Sequence, residues 1–357
     1  MHKCRLDKVR NRLEKAQLDG LLITKPENMY YVSGFTGSEG AVVLTTNKAY
    51  LVVDFRYKEQ AENEAPCFEI VVFNTNSLFR RCGELITLSS VKSLGFEAQH
   101  LTVKDYNKML SSLNNIQVFE ADYILEELRS IKEPDEVEKI IKAQEITDQT
   151  FTHIIEYIKT GVSEKELELE MEYYMRNLGA QGTAFKTIIA SGPRSSLPHG
   201  IATNRKLQEG DLITFDFGAR FLNYCSDMTR TVILGTPNKK QIEIYEIVLE
   251  AQEAALNYIK SQVFGKDVDK IARDIINNYG FKQNFGHSLG HGVGLEIHEN
   301  PYLSPKSESN LLSGMVVTIE PGIYIQNLGG VRIEDMVIIT DDGCKNITSS
   351  PKQLICI

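Results

Sequence analysis

The sequence predicts an α+β protein of two domains, a smaller α/β domain followed by a larger one built as an internal repeat about a pseudo-twofold axis. Three observations predict it. Residues 21–131 alternate strand-like and helix-like segments, the pattern of an α/β domain. The stretch "GDLITFDFG" (210–218) returns as "GMVVTIEPG" (314–322) in one frame: Gly, three residues of which the last two are apolar, Thr, a large apolar residue, an acid, any residue, Gly. The segments before each copy also match, two helices and then strands, which is the mark of a repeat. A chain of 357 residues suits two domains.

The elements follow in order. Leu6, Val9, Leu13 and Ala16 keep a helical period, with Gly20 placed to cap the helix. This segment lacks the apolar middle of a signal peptide, and the longest apolar runs of the chain are strand-length, so no membrane association is expected. Strands are predicted at "LLIT" (21–24), "AVVLTT" (41–46), "AYLVVD" (49–54), "FEIVVF" (68–73), "KSLGFE" (92–97) and "IQVFEA" (116–121). Helices are predicted at "RYKEQAENEA" (56–65), "SLFRRCGELITL" (77–88) and "TVKDYNKMLSSL" (102–113). "GFTGSEG" (34–40) precedes a strand instead of opening a helix, so it reads as a turn and not as a phosphate loop.

"RSIKEPDEVEKI" (129–140) marks the boundary, giving domains 1–128 and 129–357. Pro134 suits a first helical turn, with acids after it that favour a helix N-terminus. That helix should run to Lys159 and stop near Gly161. Ser163 and Glu166 form a capping box for the next helix, which should end at Gly179. Strands are expected in "TAFKTIIAS" (183–191), "DLITFDFG" (211–218) and "YCSDMTRTVILG" (224–235). After Pro237 the order restarts, with helices over 238–260 and 267–279 and strands in "GMVVTIEPG" and "GGVRIEDMVIIT" (329–340).

A net charge of −9 offers no field that would draw nucleic acid or an anionic membrane. The six cysteines are scattered without a CxxC pair, which fits reduced thiols in the cytoplasm and neither a disulfide framework nor a zinc knuckle.

The chemistry lies in the acids of the repeat. Alternate residues of a strand share a face, so Thr214, Asp216 and Gly218 lie together, opposite Phe215 and Phe217. Thr318, Glu320 and Gly322 do the same in the second copy. The strands that follow carry Asp227 and Glu334, with Arg332 on the face of Glu334. Any one such acid reads as a buried salt bridge. Four converging on a twofold axis cannot all ionise in low dielectric with one arginine to balance them. Two divalent cations are the natural solution, and oxygen-rich ligands suit manganese or another first-row ion. "FGHSLGHGVGLEIHENP" (285–301) adds His287, His291 and His298 among glycines that let backbone approach a ligand. One imidazole would complete a five-ligand dinuclear site, and the others could polarise a carbonyl.

The motifs "FDFGA", "SDMTRT", "GHGVGLEIHE", "TIEPGIY" and "RIEDM" resemble the pita-bread metallopeptidases, the group of Xaa-Pro aminopeptidase, prolidase and methionine aminopeptidase, with metal-free creatinase among them. The resemblance implies a C-terminal pita-bread fold after a creatinase-like N-terminal domain. It implies metal ligands Asp216, Asp227, His291, Glu320 and Glu334, with Glu320 also a proton shuttle. His298 would stabilise the oxyanion, His199 in "SGPRSSLPHG" would position the proline side or the scissile carbonyl, His287 would line the pocket, and Arg332 would orient Glu334 or substrate, or simply balance charge. The cofactor would be two divalent ions, manganese first, with cobalt, iron and zinc as alternatives. The expected function is hydrolysis of the Xaa-Pro bond at the N-terminus of proline-containing peptides, with strict dipeptidase activity as the alternative. A homodimer whose N-terminal domain reaches toward a partner's active site is expected by the same analogy. A catalytically dead peptide-binding module is the reading of another class, and the filled ligand positions speak against it.

Overall fold

The computed structural model describes residues 2–74 and 78–357, in two compact units, Met1–Arg129 and Ser130–Ile357. The first unit contains α1 (His2–Lys15), β1 (Gly20–Ile23), α2 (Pro26–Ser33), β2 (Gly40–Thr45), β3 (Ala49–Asp54), α3 (Lys58–Glu64), β4 (Glu69–Phe73), α4 (Leu78–Leu88), β5 (Ser93–Phe96), α5 (Val103–Ser111), β6 (Gln117–Glu120) and α6 (Asp122–Ser130). Its mixed sheet runs β4-β3-β2-β1-β5-β6. Ser77, the predicted first residue of α4, lies outside the described residues.

Gly20 is not a helix cap; it begins β1. The helix closes earlier, on Gln17 at φ 57, with the Leu18 amide donating to the Leu13 carbonyl (2.9 Å) and the Gln17 amide to that of Glu14 (3.1 Å). That is a Schellman closure without glycine. Helices α2 and α6 have no counterpart among the predicted segments.

The second unit opens with α7 (Pro134–Ile155) and α8 (Glu164–Asn177). The capping box of Ser163 and Glu166 is present. Helix α7 stops at Ile155, short of the predicted Lys159, where Glu156 and Tyr157 turn back onto the His153 and Ile154 carbonyls. The predicted strand 183–191 is broken into β7 (Gly182–Thr183) and β8 (Ile188–Ser191). Then come β9 (Leu212–Phe217), β10 (Ala219–Phe221), β11 (Tyr224–Cys225), β12 (Met228–Ile233), α9 (Lys239–Tyr258), α10 (Gly265–Asn278), β13 (Gly290–Gly292) and β14 (Glu299–Leu303). The chain ends with β15 (Val316–Ile319), β16 (Gly322–Ile325), β17 (Gly329–Arg332), β18 (Asp335–Ile339) and β19 (Cys344–Asn346).

The repeat is visible in the topology. One sheet runs β12-β9-β8, the other β14-β13-β15-β18-β19, so β9 and β15 hold the same central place with antiparallel neighbours. Each half has its own core. Phe151, Met171, Phe215, Phe217 and Met228 fill the first; Tyr245, Val248, Val317, Ile319, Ile333 and Val337 fill the second. The matched glycines that open the two central strands, Gly210 (φ 85) and Gly314 (φ 89), both adopt the left-handed conformation. Phe215 and Phe217 are fully buried, each burial worth about 1.5–3 kcal/mol, and this pins β9 so that Asp216 emerges on its other face. All six cysteines are free.

Candidate active site

A cavity of about 290 Å³ opens on the side of β9 and β15 away from the phenylalanines. It is lined by His199, Asp216, Asp227, His287, His291, His298, Glu320, Arg332 and Glu334, with Phe185, Ile188, Pro198 and Ile297 as apolar walls and Tyr302 beside them. Every candidate residue from the sequence therefore faces one space.

Each half delivers its acids differently. Asp216 lies within β9; Asp227 immediately precedes β12; Glu320 follows the last residue of β15; Glu334 falls between β17 and β18. Asp227 and Glu334 are buried. The histidine segment is set by α10. Asp269 accepts from the Leu289 amide (3.1 Å), and Arg273 donates to the Phe285 (2.9 Å) and His287 (2.8 Å) carbonyls. The glycines around His291 answer to packing. A Cβ on Gly290 would meet the Thr318 carbonyl at 2.0 Å, and one on Gly292 the Asn300 carbonyl at 2.4 Å. Only a bare backbone lets β13 slot between β14 and β15 and hold His291 over the acids.

Arg332 is the hub. Its Nη2 donates to Asp216 Oδ2 (2.5 Å), its Nη1 to the Tyr324 hydroxyl (2.7 Å), and its Nε to the Thr229 hydroxyl (3.0 Å). Thr229 in turn donates to Glu334 Oε2 (2.6 Å). His287 Nδ1 faces the Ser288 carbonyl (2.8 Å), which can only accept, so that nitrogen carries the proton. Burial lowers the His287 pKa to about 4. The ring is thus neutral near pH 7 and its Nε2 accepts from the Tyr324 hydroxyl (2.9 Å). Tyr324 and Thr229 were missed as site residues, although both stand inside quoted motifs, "TIEPGIY" and "SDMTRT".

One guanidinium does not balance this cluster. Burial and then mutual repulsion push Asp227 and Glu334 well above the usual carboxylate range. Burial also raises Asp216 against the pull of Arg332, and lifts Glu320 to about 8. His291 is driven down to about 3 by burial and by His298, whose ring centroid lies 4.3 Å away. Its Nδ1 donates to the Gly292 carbonyl (3.2 Å). The bare Nε2 therefore points at Asp227 Oδ2 (3.6 Å) and Glu320 Oε1 (3.4 Å), and whenever those carboxylates are ionised, acceptor stands against acceptor. Asp227 Oδ1 and Glu334 Oε1 are buried without a hydrogen-bond partner. Donor atoms of Asp227, His291 and Glu334 lie within 4.8 Å of one another. Orphaned oxygens, a lone pair aimed between carboxylates and excess negative charge are what a divalent cation satisfies, so the residues fit a metal centre.

Residues 138–341 match the sequence profile of metallopeptidase family M24, and residues 5–131 that of the creatinase/prolidase N-terminal domain. The chain is 43% identical over 354 residues to an Xaa-Pro dipeptidase of Pyrococcus horikoshii, with 98% of each sequence covered. An Xaa-Pro dipeptidase structure from Bacillus anthracis matches with a TM-score of 0.97 at 41% identity, covering 100% of both chains. An X-Pro aminopeptidase structure from Thermotoga maritima matches with a TM-score of 0.89 at 38% identity, covering 97% of this chain and 100% of that one.

Proposed function

The chain belongs to metallopeptidase family M24, and from that premise we propose that it hydrolyses the Xaa-Pro bond at the N-terminus of peptides, using two divalent ions held by Asp216, Asp227, His291, Glu320 and Glu334. The observation that carries the proposal is the pair of orphaned oxygens, Asp227 Oδ1 and Glu334 Oε1, beside the unprotonated Nε2 of His291. When bound, such ions acidify water and polarise a carbonyl. The oxygen-rich ligand set favours manganese, with cobalt, iron and zinc as alternatives.

The protein groups then divide the work. Glu320 takes the proton of the attacking water and returns it to the leaving nitrogen. His298, whose pKa desolvation lowers from the ordinary imidazole value, donates to the oxyanion. His199 positions the prolyl side. Phe185, Ile188, Pro198 and Ile297 give a prolyl ring an apolar wall, and a prolyl nitrogen asks for no hydrogen-bond partner. Arg332, tied to Asp216 and through Thr229 to Glu334, fixes the two halves of the ligand set against each other.

Peptides longer than two residues are accepted in this reading. A strict dipeptidase must clamp the free carboxylate of proline, which an arginine fork does well. Some prolidases that the chain resembles carry arginine just after the "HExP" turn; Tyr302 stands there and lines the cavity. Lys306, the nearby substitute, is exposed and is not among the lining residues. Prolidase is the second reading, favoured by two of the three relatives above, which are Xaa-Pro dipeptidases, and by a cavity at the small end of ligand pockets. The deciding experiment is kcat/KM for Ala-Pro against Ala-Pro-Ala with added manganese, alongside metal analysis. Cleavage of the dipeptide alone makes the protein a prolidase; full activity after exhaustive chelation ends the metal reading. The working form is proposed to be a cytoplasmic homodimer, to be checked by sedimentation and fractionation. Among the described residues no helix is long and apolar enough to cross a membrane.

A further inference from the structure

The loop 192–202 brings His199 to the cavity, and both its ends are tied to a single carboxylate. Glu164, in the first turn of α8, is fully buried. Its Oε1 accepts from the Ser191 amide (2.9 Å) and hydroxyl (2.7 Å). Its Oε2 accepts from the Thr203 amide (2.9 Å) and hydroxyl (2.7 Å). Ser191 is the residue before the loop and Thr203 the residue after it, so each oxygen holds one end. Arg194, inside the loop, also donates to Oε2 and braces the far side through the Ile201 carbonyl (2.8 Å). Near the tip, Arg332 Nη1 donates to the carbonyl of Pro198, next to His199 (3.3 Å).

Helix α8 does not need this carboxylate for capping, because Ser163 and Glu166 already close its N-terminus. Nor is Glu164 among the residues lining the cavity. What its two oxygens do is shut the neck of a compact surface loop whose tip carries His199, with Leu197 and Ile201 exposed on either side. We propose that Glu164 is a positioning residue, a clamp that sets the reach of His199 over the prolyl side of the substrate. The proposal rests on the Xaa-Pro reading for its catalytic consequence, and on the hydrogen-bond geometry for the clamp itself. An amide in place of the carboxylate offers one acceptor oxygen and turns an NH₂ toward donors, so Glu164→Gln releases one end of the loop while keeping the side-chain volume.

The test has two parts. Hydrogen exchange of the amides in 191–203 should quicken about tenfold or more in E164Q, while 285–299 and the metal content stay as in the wild type. The kcat/KM for Ala-Pro-Ala should fall by up to about 10²-fold, the scale of a displaced positioning group. In an H199A background the same substitution should change kcat/KM by less than about twofold, because coupled positions are not additive. Thr203→Val, which removes one donor, should repeat both effects in smaller measure should E164Q fold poorly. Unchanged loop exchange in both variants overturns the clamp. A loss of undiminished size in the H199A background overturns its action through His199. If the wild type cleaves no Xaa-Pro peptide, the functional reading fails, and the exchange result alone still upholds or overturns the clamp.

Discussion

Strands β9 and β15 hold equivalent places in the two halves of the second unit, but the residues that face them differ. Thr229 pairs opposite Asp216. In the other half Ile319 lies opposite Asp335 and Gly322 opposite Arg332, a register that sets Glu334 opposite Glu320. Thr229 and Glu334 are therefore repeat mates, and so are Asp227 and Arg332. The mates on the axis touch each other. Thr229 donates to Glu334 (2.6 Å), and Arg230 Nη2 donates to Asp335 Oδ1 (2.7 Å). Had the second half copied the first, the cluster would keep four acids but lose its guanidinium and the acid on the axis. The scaffold is what the repeat supplies; the charge balance comes from the positions where the copies part.

The ligands are where the halves act together, so removing one should have the largest effect. Asp227→Ala should leave a folded protein that has lost most of its metal and activity, read by elemental analysis and peptide hydrolysis. Metal and turnover both near wild type would mean that the second half suffices alone. Substrate handling is the more one-sided task. His287, His291 and His298 all come from the second half, and the first offers only His199 on its loop. His298→Ala should accordingly lower kcat by about 10²–10³ with the metal retained, the scale for one lost oxyanion donor. Loss of metal with it would make His298 a ligand.

Thr229 tests the seam itself. It is fully buried and links Arg332 to Glu334 through a single hydroxyl. Thr229→Val keeps the shape and should cost roughly 10–100-fold in metal affinity or activity, the range for partners behind a metal ligand. Thr229→Ser should restore most of it. If valine and serine behave alike in metal titrations, the hydroxyl is only packing.

The sequence made the acids, the histidines and most strands legible because each carries a local signal: an acid between phenylalanines, glycines flanking a histidine, a period of two. β3 falls where it was predicted, at Ala49–Asp54, and the Ser163 box caps α8 as its spacing requires. What escaped was relational. Asp227 and Glu334 look like mates when each is read as the acid of the following strand, yet cross-strand register makes Thr229 the mate of Glu334. Tyr324 gave no sign of its role, since its hydroxyl meets Arg332 and His287 only after β16 has folded back. Helix α2 was overlooked despite Pro26 at its start, because Tyr30, Tyr31 and Val32 read as strand formers until packing decides.

The smallest expected effect concerns Tyr302, on β14, an element of the second half that has no partner strand in the first half's sheet. If the one-sided half sets specificity, a change there should alter substrate choice and leave the metal alone. Tyr302→Arg would place a planar fork at the rim, where a prolyl carboxylate ends in a dipeptide and continues as an amide in a tripeptide. Tyr302 is 44% exposed, so water screens much of the new attraction. The ratio of kcat/KM for Ala-Pro over Ala-Pro-Ala should rise by about three- to tenfold, less than a buried charged hydrogen bond would give. Metal content should not move. A ratio that stays flat places carboxylate recognition elsewhere, and a fall in both substrates together means that Tyr302 supports the β13–β14 pairing at His291 and does not select the substrate.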